Sequence, residues 1–140
     1  MKRILILCTG NSCRSQMAEG YLKQFAGSKA EVFSAGIETH GVNPKAVRVM
    51  KEDGIDISHQ TSNNVNEYRN SDFDFVITVC DNAKELCPVF PSKAKRFHQN
   101  FPDPAKATGA EQEVMQQFSK VRDMIKYYSQ DFVKENLQFI

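Results

Sequence analysis

Cys8-Thr9-Gly10-Asn11-Ser12-Cys13-Arg14-Ser15 is the stretch whose reading decides the fold. It follows an apolar run, Ile4-Leu5-Ile6-Leu7, that reads as a fully buried strand. It precedes Gln16-Met17-Ala18-Glu19-Gly20-Tyr21-Leu22, which reads as an amphipathic helix. A strand, a loop of small residues and a helix start, in that order, make an anion site, because loop N–H groups and the positive end of the helix dipole converge on one point. Cys8 stands where the strand ends and Arg14 where the helix begins. A cysteine at the focus of that field is expected to lose its proton readily and attack as a thiolate. Arg14 offers a planar fork suited to a tetrahedral oxyanion. Thr9 to Arg14 is therefore the expected oxyanion cradle, and Ser15 is placed to hydrogen-bond the Cys8 sulfur.

The first helix carries Met17, Ala18, Tyr21, Leu22 and Phe25 on a helical period, and Gly27 stops it. Glu31 to Ala35 reads as a second strand, ended by Gly36. Asn43-Pro44 opens a second helix, with Asn as N-cap and Pro at the first helical position; Ala46, Val47 and Met50 form its apolar face and Gly54 ends it. A short helix is expected around Glu67-Tyr68-Arg69, and Phe73 to Val79 is a third strand that runs directly into Cys80. A short helical segment over 82–86 follows, and Pro88 prevents it from continuing past Cys87. Lys93 to His98 gives a weak fourth strand, and Phe101-Pro102-Asp103-Pro104 a rigid loop. The last helix starts near Gly109 and runs past Tyr128, its core face marked by Val114, Phe118, Val121, Ile125, Tyr128 and Phe132.

Strands alternating with helices, each strand a near-continuous apolar run, indicate an α/β fold with a parallel sheet covered on both faces. Ligands of such sheets bind beyond the carboxyl ends of the strands. The first and third strands both end in cysteine, so Cys80 belongs on the same sheet edge as Cys8.

The 140 residues are expected to form a single domain, 1–140, with a real core. A net charge of +1 gives no electrostatic case for nucleic acid or a membrane surface. No apolar run approaches a membrane span. Met1-Lys2-Arg3 followed by Ile4 to Leu7 is too short for a signal peptide, so a cytoplasmic location is expected. In that compartment Cys8, Cys13, Cys80 and Cys87 point to catalysis, redox work or metal rather than structural disulfides. There is no Cys-x2-Cys pair, and His40, His59 and His98 fall in no ligand spacing, so zinc is not expected. No apolar helix face is left over, and a monomer is expected.

The spacing Cys-x5-Arg-Ser at a strand-to-helix turn resembles the signature of low-molecular-weight protein tyrosine phosphatases. The same loop is similar to that of thioredoxin-coupled arsenate reductases, as are Ser34-Ala35-Gly36-Ile37-Glu38-Thr39-His40-Gly41-Val42-Asn43-Pro44, Asp56-Ile57-Ser58 and the Cys80/Cys87 pair. The likeness covers essentially the whole chain. It implies a three-layer α/β sandwich built on a four-stranded parallel sheet, with Asp103 matching an Asp-Pro general acid. It implies arsenate as substrate, phosphate and sulfate as competing oxyanions, no tightly bound cofactor, and electrons from thioredoxin. It also implies a relay in which Cys8 attacks arsenate, Cys80 attacks Cys8 to give a Cys8–Cys80 disulfide, and Cys87 then leaves a Cys80–Cys87 disulfide. Cys13 has no place in that two-electron chemistry and is read as structural or as a site of oxidative damage. Asn11, Glu19 and Ser34 match positions that hold potassium in some members, but the matching carboxylate is here Asn63, which puts potassium in doubt.

Cys80 and Cys87 are seven apart, which in a continuous helix is a rise of about 10 Å. A disulfide tolerates Cα separations up to about 7 Å, so a helix there must unwind or bend when the bond forms, and residues 80–90 are expected to be the moving part. The competing readings are a tyrosine phosphatase and a non-catalytic module that binds oxyanions or senses redox state. Ala105 follows the Asp-Pro pair and the chain has no Trp, which suits a small inorganic anion better than a phosphotyrosine ring.

Overall fold

The structure, a computed structural model, describes residues 1–81 and 85–138. Four strands, β1 (Lys2–Cys8), β2 (Ala30–Gly36), β3 (Phe75–Thr78) and β4 (Lys95–His98), form one parallel sheet in the order β2-β1-β3-β4. The helices are α1 (Arg14–Ala26), α2 (Pro44–Glu52) and α3 (Glu111–Asn136). Among the described residues, no helix is long and apolar enough to cross a membrane.

Strand β1 lies between β2 and β3, and its side chains Ile4 to Leu7 are wholly buried, as a strand covered on both faces requires. Period-two alternation divides them. Ile4, Ile6 and Cys8 join the core that α1, α2 and α3 supply with Met17, Tyr21, Val49, Met50, Phe118 and Ile125. Leu5 and Leu7 face the other way, onto Val65, Phe73, Val76 and Phe90. That second face is closed by aromatic edge-to-face contacts: Phe73 meets Phe33, Tyr68 and Phe90 with ring centroids 5.8, 5.9 and 5.9 Å apart. The Arg3 guanidinium lies over both Phe33 and Phe73.

The expected helix around Glu67 is a 3₁₀ turn, Val65–Tyr68, whose Asn64 cap and Glu67 carboxylate satisfy each other's backbone N–H groups. The Asn43-Pro44 start of α2 is as read, with Asn43 Oδ1 accepting from the Lys45 N–H at 2.8 Å. The α3 stripe is buried at Phe118, Val121, Ile125 and Phe132, while Val114 and Tyr128 are partly buried against the same core. Of the helical segment expected over 82–86, residues 82–84 lie outside the described residues; the Glu85 N–H donates to the Asp81 carbonyl at 3.0 Å.

Helix α1 is more deeply sunk than an amphipathic surface helix, with every residue from Arg14 to Leu22 buried. Gly20 permits this, since a Cβ there would lie 2.7 Å from Ile57 Cγ2. The buried Tyr21 hydroxyl donates to Asp53 Oδ2 at 2.8 Å, and Lys126 Nζ pairs with the same carboxylate at 3.0 Å, so one carboxylate ties α1, the end of α2 and α3. The Tyr21 hydrogen bond, aided by Lys126 and Arg122, holds the Asp53 carboxyl below its ordinary value. A carboxyl depressed on folding stabilises above its unfolded pKa, about 3.9, and that contribution is lost as pH falls through the lower folded value. Tyr21→Phe is therefore expected to cost about 1 kcal/mol at neutral pH, read as a fall of about 2–4 °C in Tm. The deficit should shrink as pH falls through the lowered folded value, measured by calorimetry across pH; a deficit unchanged across the acid range would deny the hydrogen bond its role.

Candidate active site

The loop between β1 and α1 is shaped by what its carbonyl groups do. The Thr9 carbonyl accepts from the Glu38 N–H, Gly10 from His40 and Ser12 from Asn43, at 3.0, 3.1 and 3.1 Å. The Asn11 carbonyl accepts from Gln16 Nε2 and Ser62 Oγ, both at 3.0 Å. Four successive carbonyls of the loop, Thr9 to Ser12, are thus engaged by the segments packed around it. Asn11 sits in the left-handed region, φ 47°, where asparagine is among the residues best tolerated. Gly36, at the end of β2, lets the loop approach: a Cβ there would lie 2.7 Å from the Thr9 carbonyl and 2.9 Å from the Asn11 nitrogen.

A cavity of about 440 Å³ opens over this loop, lined by Cys8, Thr9, Gly10, Ser12, Cys13 and Arg14. Its walls are Glu38, His40, Val42, Asn43 and Pro44 on one side, and Glu85, Asp103, Ala105 and Lys106 on the other. Among the described residues that line it there is no Phe, Tyr or Trp.

Asn11 and Ser15, both wholly buried, do not line it. Asn11 Nδ2 donates to Ser15 Oγ at 2.8 Å and Ser34 Oγ at 2.9 Å, and Asn11 Oδ1 accepts from the Asn63 N–H at 2.7 Å. Asn11 thus braces the loop, and what it offers the cavity is backbone. Ser15 reaches the Cys8 sulfur, as expected, through its backbone N–H, joined by that of Thr9. Gln16, Gln60 and Ser62 complete the brace, with Gln60 Nε2 donating to Gln16 Oε1 at 2.8 Å. Gln60 and Ser62 act across 44 and 51 positions of chain, so nothing local in the sequence marks them.

The expectation of a readily ionised Cys8 is not met in this state. Burial pushes the thiol above its ordinary value, and the Glu85 charge pushes the same way; Arg14 and the Thr9 and Ser15 N–H groups oppose this without overcoming it. The sequence argument counted the field of the loop and left out the cost of removing a thiolate from water. Cys13 is pushed up to about 12, first by burial and then by Asp103.

Arg14, 3% exposed, directs both Nη atoms at Glu85: Nη1 to Oε2 at 2.8 Å and Nη2 to Oε1 at 2.6 Å. Nη1 also donates to the Phe101 carbonyl at 3.1 Å, and Nη2 lies 3.8 Å from Asp103 Oδ2. Burial works against the guanidinium charge, but Glu85, Cys8 and Asp103 together hold it more firmly protonated than usual. Arg14 Nε is buried with no acceptor among the described residues, a donor left over that a multi-oxygen anion would use. Asp103 caps the 3₁₀ turn Pro104–Lys106 through Oδ1, which leaves Oδ2 toward Arg14 and the cavity. Cys80, wholly buried, and the half-buried Cys87 form a disulfide with Cα atoms 6.0 Å apart. It sits at the carboxyl edge, since the Val79 N–H continues the β1–β3 ladder to the Leu7 carbonyl.

The potassium ligand set does not fit the ion. Glu19 Oε1 accepts from Ser34 Oγ at 2.6 Å and Oε2 pairs with Lys23 Nζ at 2.5 Å, while Asn11 Oδ1 is taken by Asn63. Lys23 already supplies the positive charge at this carboxylate.

Cys8, Arg14 and Asp103 thus line one cavity over the strand-to-helix loop of an α/β fold. The chain belongs to the low molecular weight phosphotyrosine protein phosphatase family, whose model matches residues 3–138. Its curated relatives include an arsenate reductase of Halalkalibacterium halodurans, 53% identical over 89% of each chain. Another is the arsenate reductase of Bacillus subtilis strain 168, 50% identical over 95% of this chain and 96% of the relative. Among solved structures, an arsenate reductase in the phosphate binding state matches with a TM-score of 0.82 and 33% identity, covering 96% of this chain and 98% of the other.

Proposed function

We propose that the protein reduces arsenate to arsenite through Cys8, Cys80 and Cys87, with a thioredoxin-type dithiol restoring the thiols. The Cys8 thiolate attacks the arsenic of a bound arsenate; an oxygen leaves as water after protonation, giving an S–As bond. The Cys80 thiolate attacks the Cys8 sulfur. The S–As electron pair passes to arsenic, which departs as arsenite, and a Cys8–Cys80 disulfide remains. Cys87 then attacks Cys80, Cys8 leaves as a thiolate, and the Cys80–Cys87 disulfide holds the oxidising equivalents. Two thiols have lost two electrons and arsenic(V) has gained two. An external dithiol near −270 mV, about the potential of thioredoxin, can reduce the final bond.

The observation that carries this reading is the Cys80–Cys87 disulfide at the same sheet edge as Cys8, beside an oxyanion pocket. A phosphatase has no use for it. Arg14 and the loop N–H groups would hold the oxyanion, and Asp103 would protonate the leaving oxygen. With no Phe, Tyr or Trp among the described lining residues, the cavity suits a small inorganic anion better than a phosphotyrosine ring. With the nucleophile and acid in place, slow hydrolysis of small aryl phosphates accompanies the main activity. Since Lys23 neutralises Glu19, potassium is not required.

Arsenate-dependent NADPH consumption in the presence of thioredoxin and thioredoxin reductase is expected to continue for many turnovers. Hydrolysis of p-nitrophenyl phosphate without any such consumption would make the protein a phosphatase and overturn the reading.

A further inference from the structure

The reaction leaves one buried carboxylate of the site unused. Glu85 lies between the two disulfide cysteines, with its side chain 8% exposed, and its two oxygens take both Arg14 Nη atoms. Oε1 also lies 2.5 Å from Thr9 Oγ1, and the next residue is tied to the same hydroxyl through the Leu86 carbonyl at 2.8 Å. Two parallel N–H···O bonds from a guanidinium are how arginine holds a carboxylate or one edge of a tetrahedral oxyanion. An oxyanion that needs the same fork meets an occupied site. Glu85 reaches it where the disulfide holds the Cys80 and Cys87 Cα atoms at 6.0 Å, against about 10 Å for seven residues of helix.

We propose that Glu85 is an internal competitor of the oxyanion: in the Cys80–Cys87 disulfide form its carboxylate occupies Arg14 and excludes arsenate or phosphate, and opening the disulfide withdraws it. Glu85 is thus a positioning residue that makes oxyanion affinity depend on redox state. Its advantage is twofold. The disulfide form, which has no electrons to give, does not hold substrate. Arg14, buried and charged, is not left without an anion once the product has gone, a state that would be costly. The mutual shifts agree with a settled pair. Burial works to raise the Glu85 carboxyl, but the hydrogen bonds from Arg14 and Thr9 outweigh it and hold it below its ordinary value. The same charge helps keep Cys8 protonated while the enzyme is oxidised.

The inference rests on Arg14 being the oxyanion ligand and is independent of arsenate being the substrate. Inorganic phosphate is the probe. Its Kd is measured by calorimetry on the full chain, wild type, Glu85→Gln and Glu85→Ala, each fully reduced and each as the disulfide. Reduced wild type and both variants should bind phosphate within about threefold of one another. Disulfide wild type should bind at least tenfold more weakly than reduced, and disulfide Glu85→Ala should recover most of that loss, with Glu85→Gln between. Equal Kd values for the disulfide forms of wild type and Glu85→Ala would overturn the proposal. So would disulfide wild type binding as tightly as reduced, or reduced wild type failing to bind. Redox-dependent phosphate binding with no arsenate turnover would sustain this inference while sinking the substrate assignment.

Discussion

Cys87→Ser is expected to reduce at most one arsenate per molecule and then stop, even with thioredoxin, thioredoxin reductase and NADPH in excess. Cys8 is 2% exposed and Cys80 is wholly buried, so a disulfide between them lies where an external dithiol cannot line up for attack. Cys87 is half-buried, and its neighbours Leu86 and Val89 are 78% and 71% exposed. In the proposed relay the third thiol would carry oxidation from Cys8 and Cys80 toward the surface. Serine keeps the size and removes the nucleophile, so the first two steps should survive. Arsenite released in a single mixing experiment should approach one equivalent, while steady-state NADPH consumption falls to background. Sustained turnover in the variant would show that the reductant reaches the inner disulfide directly and that the relay has two cysteines rather than three.

Arg14→Lys is expected to lower kcat/KM about 10²–10³-fold for arsenate reduction and for aryl phosphate hydrolysis alike, the scale of removing a donor aimed at developing oxyanion charge. Lysine keeps the charge and loses the fork. Arg14 uses its end group fully: Nη1 and Nη2 reach a carboxylate and the Phe101 carbonyl, and Nε is buried with no partner among the described residues. A single ammonium cannot hold two oxygens in one plane while also anchoring Phe101. A loss below about threefold in both reactions would mean that charge alone, and not bidentate geometry, holds the oxyanion.

Several elements were legible because they are local. The run Ile4 to Leu7, the small-residue loop and the helix period after it gave the β1–loop–α1 unit, and Asn43-Pro44 gave the start of α2. The recurrence from Phe118 to Phe132 gave the buried stripe of α3. Parallel pairing, with Leu7 beside Thr78, then put both terminal cysteines at one edge. Element ends were less legible: β3 and β4 are each shorter than read, and the polar stretch near Glu67 closed as a 3₁₀ turn.

The chain by itself determined the α/β sheet, the strand–loop–helix unit and the sheet edge at which the first and third strands end, because hydrophobic period, turn chemistry and strand direction are written in neighbouring residues. The tertiary structure alone decided how those groups are set. It turned the Asn11 side chain into a brace between Ser34 and the Asn63 backbone. It brought Glu85 across 71 positions of chain onto Arg14. It also reversed the expected shift of Cys8, since the balance between a buried thiolate's lost hydration and the field of its neighbours depends on how deeply the residue is covered. No local pattern encodes depth of burial or partners so distant along the chain.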